Sequence, residues 1–271
     1  MKISELAHRG LVLLGCGKMG SAMLEGWLSD GLPASSVWVI DPNPSDWVKN
    51  QHTHLNADMP LDPAVVLIAV KPQMMTEALP SLRGFGNGQT LFVSVAAGTT
   101  LDTLSRTLGA EAPIIRAMPN TPAAIGQGIT AMIGNAHATA HHLDMTETLL
   151  SAIGAVVRLD TEAQIDAVTG VSGSGPAYVF HMIECLAAAG EAQGLSPALA
   201  MELAKATVAG AGALAMKSTE TPEQLRINVT SPNGTTQAGL SVLMNTESGL
   251  PPLMRDTVAA AADRSRDLAN G

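Results

Sequence analysis

Charge is scarce in this chain. Asp, Glu, Lys and Arg make up 14% of its 271 residues, and the basic kind is the rarer, 15 against 24. A formal charge of −9 excludes a general binder of nucleic acid or of anionic membranes, either of which would need a basic face. Cysteine is scarcer still: Cys16 and Cys185 cannot build a disulfide framework or a four-thiolate zinc site. Long apolar runs are missing as well. The longest uninterrupted stretch of apolar and small residues, Ala206 to Met216, falls far below a membrane span. Leu11–Leu14, preceded by Lys2 and Arg9, is too short for a signal-peptide core. There is no fixed-period repeat and no low-complexity linker. A soluble protein of the cytoplasm, with no membrane or nucleic-acid partner, is the expectation.

Apolar residues, by contrast, make up 46%, which excludes disorder and provides for a sizeable core. So little charge implies that another subunit covers part of the apolar surface. At about 150 residues per domain the length suits one large or two modest domains.

The first 160 residues alternate short apolar runs with helix-like segments. The runs are Leu11–Leu14, Val37–Ile40, Val65–Val70, Leu91–Val95, Ile114–Met118, Ile129–Ile133 and Ala155–Leu159. Helices are expected at Met19–Leu28, Gln73–Leu82, Leu101–Leu108 and Ala138–Ile153. Continuous apolar strands between helices predict a largely parallel sheet covered on both faces, whose last runs close it differently. Beyond residue 160 the strand signals stop. Pro176–Gln193, Pro197–Lys217, Pro222–Val229, Thr235–Met244 and Pro252–Ala269 read as helices, two of them opened by Ser196-Pro197 and Thr221-Pro222, an N-cap followed by proline at the first helical position. The boundary falls near Leu159–Glu162, giving domains 1–160 and 161–271.

Gly15-Cys16-Gly17-Lys18-Met19-Gly20 fits G-x-G-x-x-G. A strand precedes it, a helix follows, and Asp41 closes the next strand. In that context the first glycine allows the turn, the second lets backbone approach a pyrophosphate, and the third lets helix and strand pack closely. The helix start aims N–H groups and positive dipole at the phosphates. Asp41 would accept from a ribose 2′-hydroxyl and repel a 2′-phosphate; Lys49 is the nearest cation in Asp41–Lys49. The residues alone lean towards NADH, while the alternative is that Asp41 only caps the turn. Val70-Lys71-Pro72, Ala96-Ala97-Gly98 and Arg116–Pro122 stand at other strand ends, where an open parallel sheet binds its ligand.

In the helical half, Ser231-Pro232-Asn233-Gly234-Thr235-Thr236 places hydroxyls and free N–H groups at a helix start, a small anion site suited to a carboxylate. Taken with Gly15–Gly20, Ala69–Pro72, Arg116–Pro122 and the run Asp166-Ala167-Val168-Thr169-Gly170-Val171-Ser172-Gly173-Ser174-Gly175-Pro176-Ala177-Tyr178, in this order, the chain closely resembles pyrroline-5-carboxylate reductase over nearly its whole length. The resemblance implies an α/β protein: an N-terminal Rossmann-type dinucleotide-binding domain followed by an all-helical C-terminal dimerisation domain that also supplies the substrate pocket. It implies reduction of 1-pyrroline-5-carboxylate to L-proline by NADPH or NADH, in a homodimer that in some relatives assembles into a decamer.

Carried over by position, Gly15, Cys16, Gly17, Lys18, Met19 and Gly20 would hold the pyrophosphate, and Asp41 with Asn43 would lie at the adenosine ribose. Asn56, Ala69, Val70, Lys71, Pro72, Ala97 and Asn120 would contact the cofactor, and Asn228 would reach it from the helical domain. Ser231 and the amides of Gly234 and Thr235 would bind the substrate carboxylate. Thr236 would hydrogen-bond the ring nitrogen as the residue closest to catalysis, and Glu162 would line the proline site from its own or the partner subunit. Three departures from the family pattern stand out. Lys18 and Gly20 replace a frequent Asn and Ala, Asn233 replaces a glycine, and Asp41 runs against the family's habit of preferring NADPH.

Other readings remain. A β-hydroxyacid dehydrogenase or another two-domain reductase would need a Lys or His acid–base, and in the helix after Pro176 only His181 offers one; an apolar helix would more simply pack it in the core. A nucleotide sensor would need no carboxylate site. His137, His141 and His142 lack the further ligands of a zinc site, and no metal is expected. Cys16 reads as a small apolar filler.

Overall fold

The computed structural model describes residues 2–270; positions 1 and 271, the outer ends of the two expected domains, lie outside the described residues. Eight strands form one sheet: β1 (Leu11–Leu14), β2 (Val37–Ile40), β3 (His54–Leu55), β4 (Val65–Ile68), β5 (Leu91–Ser94), β6 (Ile114–Met118), β7 (Gly128–Gly134) and β8 (Gly154–Arg158). Their order is β3-β2-β1-β4-β5-β6-β7-β8. The first six are parallel, so their carboxyl ends share one edge. β7 then runs antiparallel to β6, and β8 runs parallel to β7.

Every residue of β1, β4 and β5 is buried, which is why these strands are apolar throughout rather than alternating. On one face Leu11, Leu13, Val65, Leu67 and Val93 meet Met23, Leu24 and Trp27 of α2 (Lys18–Ser29) and Met145 and Leu149 of α6 (Ala140–Leu150). On the other, Val12, Leu14, Val66, Ile68 and Phe92 meet Leu79 and Leu82 and, from α5 (Leu101–Leu108), Leu104 and Leu108. Each such side chain contributes about 1.5–3 kcal/mol.

The remaining helices of this half are short: α1 (Lys2–Arg9), α3 (Asp46–Lys49), α4 (Met75–Ala78) and α7 (Gln164–Val168), the last running into a wide π turn over Thr169–Gly173. The helix expected over Gln73–Leu82 is broken into a 3-10 turn, α4 and a second 3-10 segment, Leu79–Phe85. Pro80 at the start of that last segment lacks the N–H that would extend α4. The antiparallel return from β6 to β7 passes through a 3-10 turn ending at Gly126, whose φ of 67° suits glycine.

The second half holds α8 (Gly175–Ala192), α9 (Pro197–Lys217), α10 (Pro222–Asn228), α11 (Thr235–Leu243) and α12 (Leu250–Asn270). Thr221 caps α10 through its side chain, as its sequence implies; Ser196 precedes α9 without such a bond. One expectation changes here. The run Ala206–Met216 sits inside α9, a 21-residue helix with a mean hydropathy of 1.3 over its apolar window, long and apolar enough by length and composition to cross a membrane.

By backbone contacts the chain forms two compact units, Met1–Gly173 with Ala261–Gly271, and Ser174–Ala260. This division differs from the boundary read near Leu159–Glu162. The segment after β8 stays with the sheet because Ile165 is buried, Glu162 pairs with Arg116, and Ser265 donates to Asp166 at 2.7 Å.

Candidate active site

The glycine turn takes the form its sequence requires. Gly15 has φ +87°, and a Cβ there would stand 2.9 Å from the Ala69 backbone. At Gly20 a Cβ would come within 2.5 Å of the Gly15 carbonyl oxygen, whereas at Gly17 it would meet nothing within 4 Å. Two glycines therefore let β1, α2 and β4 close on one another, and the third leaves open backbone at the start of α2, the cradle a pyrophosphate fills. Lys18 is exposed beside it. Cys16 is buried beneath, and burial pushes its thiol pKa up, so it fills space as an unreactive thiol.

The other expected cofactor residues of this unit follow the parallel strands along the same edge: Asp41 after β2, Asn56 after β3, Ala69–Pro72 after β4, Ala97 after β5 and Asn120 after β6. The edge reverses its strand order between β1 and β4, where such sheets take their ligands. The residues present thus fit a dinucleotide.

Sequence reading missed how much of this set is occupied with protein. Asp41 Oδ2 accepts from the Cys16 N–H at 2.6 Å, and its Oδ1 from the Asn43 N–H at 2.7 Å. Asn56, at φ 49°, spends its whole amide on the Asp41 main chain, accepting from the Asp41 N–H at 2.9 Å and donating to the Asp41 carbonyl at 2.8 Å. Asn120 accepts from the Ile129 N–H at 2.9 Å and reaches the Ser172 hydroxyl at 3.4 Å. The positive φ is the one trace of this that sequence could have shown, since Asn tolerates the left-handed region.

Glu162 has a partner that sequence reading did not find. Its Oε1 accepts from buried Arg116 at 2.7 Å and from the Leu101 N–H at 2.8 Å. The pair ties β6 and the first turn of α5 to the segment ahead of α7. Its side chain is 30% exposed, that of Arg116 5%.

In the helical unit, Asn228 is also held by its own surroundings. Its Nδ2 donates to both oxygens of Glu220, at 3.2 and 3.0 Å, and its Oδ1 accepts from Gln224 Nε2 at 2.8 Å. Asn233 occupies the glycine-like conformation, φ 59°, with its N–H on Gln237 Oε1 at 2.5 Å. The Gly234 amide expected to bind carboxylate donates instead to the Ser231 carbonyl at 3.0 Å, closing the turn in front of α11. The unpaired donors at that helix start are the amides of Thr235, Thr236 and Gln237, as the first turn of any helix leaves its N–H groups unbonded. Ser231, Thr235 and Thr236 are exposed.

His181 is 76% exposed in the single chain rather than packed in that chain's own core, with Nδ1 on Glu184 at 2.9 Å and Nε2 on the Cys185 sulfur at 3.5 Å. His141 meets Glu5 at 3.1 Å, and His142 accepts from the Thr139 N–H at the start of α6.

Comparison with known proteins covers both halves of this geometry. A family model for pyrroline-5-carboxylate reductase dimerisation matches residues 162–268, and one for NADP oxidoreductase, coenzyme F420-dependent, matches residues 10–98. The pyrroline-5-carboxylate reductase of Pseudomonas aeruginosa is 38% identical over 96% of both chains, and that of Pisum sativum 39% over 95% of both. Among solved structures, the enzyme of Coxiella burnetii superposes with a TM-score of 0.90 at 30% identity, over 96% of this chain and 98% of that one. The Plasmodium falciparum enzyme, solved with NADP bound, superposes at 0.80 and 26% identity over the same shares. With identity, fold and both matched segments in agreement, the chain belongs to the pyrroline-5-carboxylate reductase family.

Proposed function

We propose that this chain reduces 1-pyrroline-5-carboxylate to L-proline with NADH or NADPH, the last step of proline biosynthesis, in the cytoplasm. The observation that carries the reading is the turn Ser231–Thr236 at the head of α11. It offers hydroxyls and unbonded amides to one small anion, and it lies inside the segment matched to the reductase family.

The cofactor supplies a hydride. The substrate's protonated ring imine is already a good electrophile, so the chain's part is to place the reacting carbon and exclude water. Ser231 and the Thr235 amide hold the carboxylate. The Thr236 hydroxyl accepts from the ring N–H⁺ and keeps the imine carbon in register; it is too weak an acid to be the sole proton source. Glu162, anchored by Arg116, lines a proline site of its own or the partner subunit. The glycine turn seats the pyrophosphate, with Ala69–Pro72, Ala97 and Asn120 at the nicotinamide end, while Asn56 acts by fixing Asp41 and Asn228 is presented by Glu220 and Gln224.

The functional division is 1–160 for the dinucleotide and 161–271 for substrate and subunit contact. Homo-oligomerisation follows from the dimerisation segment, with a dimer as the unit and a decamer as its further assembly. The exposed apolar sides of α8 and α9 are then subunit interface, and no membrane is needed to cover them. The test follows loss of reduced-nicotinamide absorbance with 1-pyrroline-5-carboxylate. Rapid, substrate-dependent oxidation yielding proline is expected; cofactor binding without oxidation would overturn the proposal.

A further inference from the structure

We infer that Asp41 makes this enzyme select NADH over NADPH, as a carboxylate locked in place rather than a mobile one. The inference rests on the function proposed above and goes on to name its cofactor. Asp41 follows β2 beside the glycine turn after β1, at the edge where the adenosine ribose of a bound dinucleotide lies.

Four hydrogen bonds fix it. Its two oxygens accept from the Cys16 and Asn43 amides, and Asn56 grips its backbone on both sides. A carboxylate has about four acceptor positions. Two are used, so each oxygen keeps one for a sugar hydroxyl. The same anchors forbid the usual escape, in which an acidic side chain swings aside and lets a phosphate in.

A 2′-phosphate would also find little positive charge on the segment 41–56. Between Asp41 and Asn56 the single Lys or Arg is Lys49, and it is paired with Asp46 at 2.8 Å. His54 is stacked on Trp38 with its Nε2 on the Ser35 carbonyl. Lys18 stands on the phosphate loop; the pyrophosphate there is common to both dinucleotides, so this cation does not discriminate.

The experiment titrates the purified full-length protein with NADH and with NADPH, without substrate, following nucleotide fluorescence. NADH should bind at least tenfold more tightly. Asp41→Asn keeps an acceptor and the side-chain volume while removing the charge, and should bring the two affinities within about threefold, mainly by tightening NADPH. Lys18→Ala should weaken both alike. A wild-type measurement needs no variant to fold: raising ionic strength should narrow the gap, because screening weakens repulsion, whereas a phosphate held by cations would lose affinity faster than NADH.

Equal or tighter binding of NADPH, an unmoved ratio in Asp41→Asn, or selective loss of NADPH in Lys18→Ala would each overturn the inference. Binding of neither dinucleotide would overturn it together with the reading on which it rests. The expected ratio without imine reduction would uphold it and overturn the proposed reaction.

Discussion

The two compact units bury their apolar residues to very different degrees. In the α/β unit the strands lie between two large clusters, and residues such as Leu13, Leu67 and Phe92 have no exposure at all. In the helical unit the buried hydrophobic residues are three alanines, Ala187, Ala200 and Ala204, while Phe180 is 60% exposed, Leu214 55% and Val242 74%. One unit carries its own core. The other leaves its larger apolar side chains exposed in the single chain, as expected of a segment matched to subunit dimerisation.

The strongest way to break this contrast is to charge the helical face. Phe180→Glu combined with Leu203→Glu should leave the chain monomeric by light scattering at micromolar concentration and remove most turnover. An oligomer as stable as the wild type would refute the contrast. Next in size is Glu162→Ala, inside the self-sufficient unit. It strands Arg116 without its partner and should cost about 3 kcal/mol, the low end for a buried pair because Glu162 is partly exposed. Denaturant unfolding checks this, and the loss should be the same at every protein concentration.

Thr236→Ala sharpens the division of labour. Turnover should fall roughly 10–100-fold through misplacement of the imine, with NADH affinity unchanged by titration; unchanged turnover would remove Thr236 from the mechanism. The smallest effect is at α6. Burial and the neighbouring His141 lower the His142 pKa, and its neutral ring accepts the Thr139 N–H in a capping box. A base whose folded pKa is lowered stabilises the fold fully above its ordinary value near 6.5 and loses that contribution as pH falls through the lowered one. The thermal midpoint should thus drop slightly below pH 6.5. His142→Gln retains a capping partner and should flatten that drop.

Much of this architecture is legible in the sequence because parallel strands buried on both faces leave unbroken apolar runs. β1, β2 and β6 begin and end where those runs do, and Asn233 occupies the left-handed turn its sequence position demands. Short pieces such as α3 and β3 carry too little periodicity to show. That the segment 162–173 groups by backbone contacts with the sheet is not visible in sequence, because its attachments, Glu162 to Arg116 and Asp166 to Ser265, join residues 46 and 99 positions apart. At the site, motif spacing pointed to Asp41 and the family resemblance to Asn56 and Asn228, but neither showed their hydrogen bonds, since nothing local in sequence marks an amide already spent on a neighbour.

Residues 261–270 belong to the unit that the chain begins, burying Ala262 and Ser265 there. That arrangement has a consequence for synthesis. A nascent chain emerging from the ribosome can assemble most of the sheet early, but the unit gains these helical turns only after residues 261–270 have been translated. Truncation at residue 260 therefore removes a piece of the first unit rather than trimming the second, and a message that ends early yields a cofactor-binding half that is unfinished.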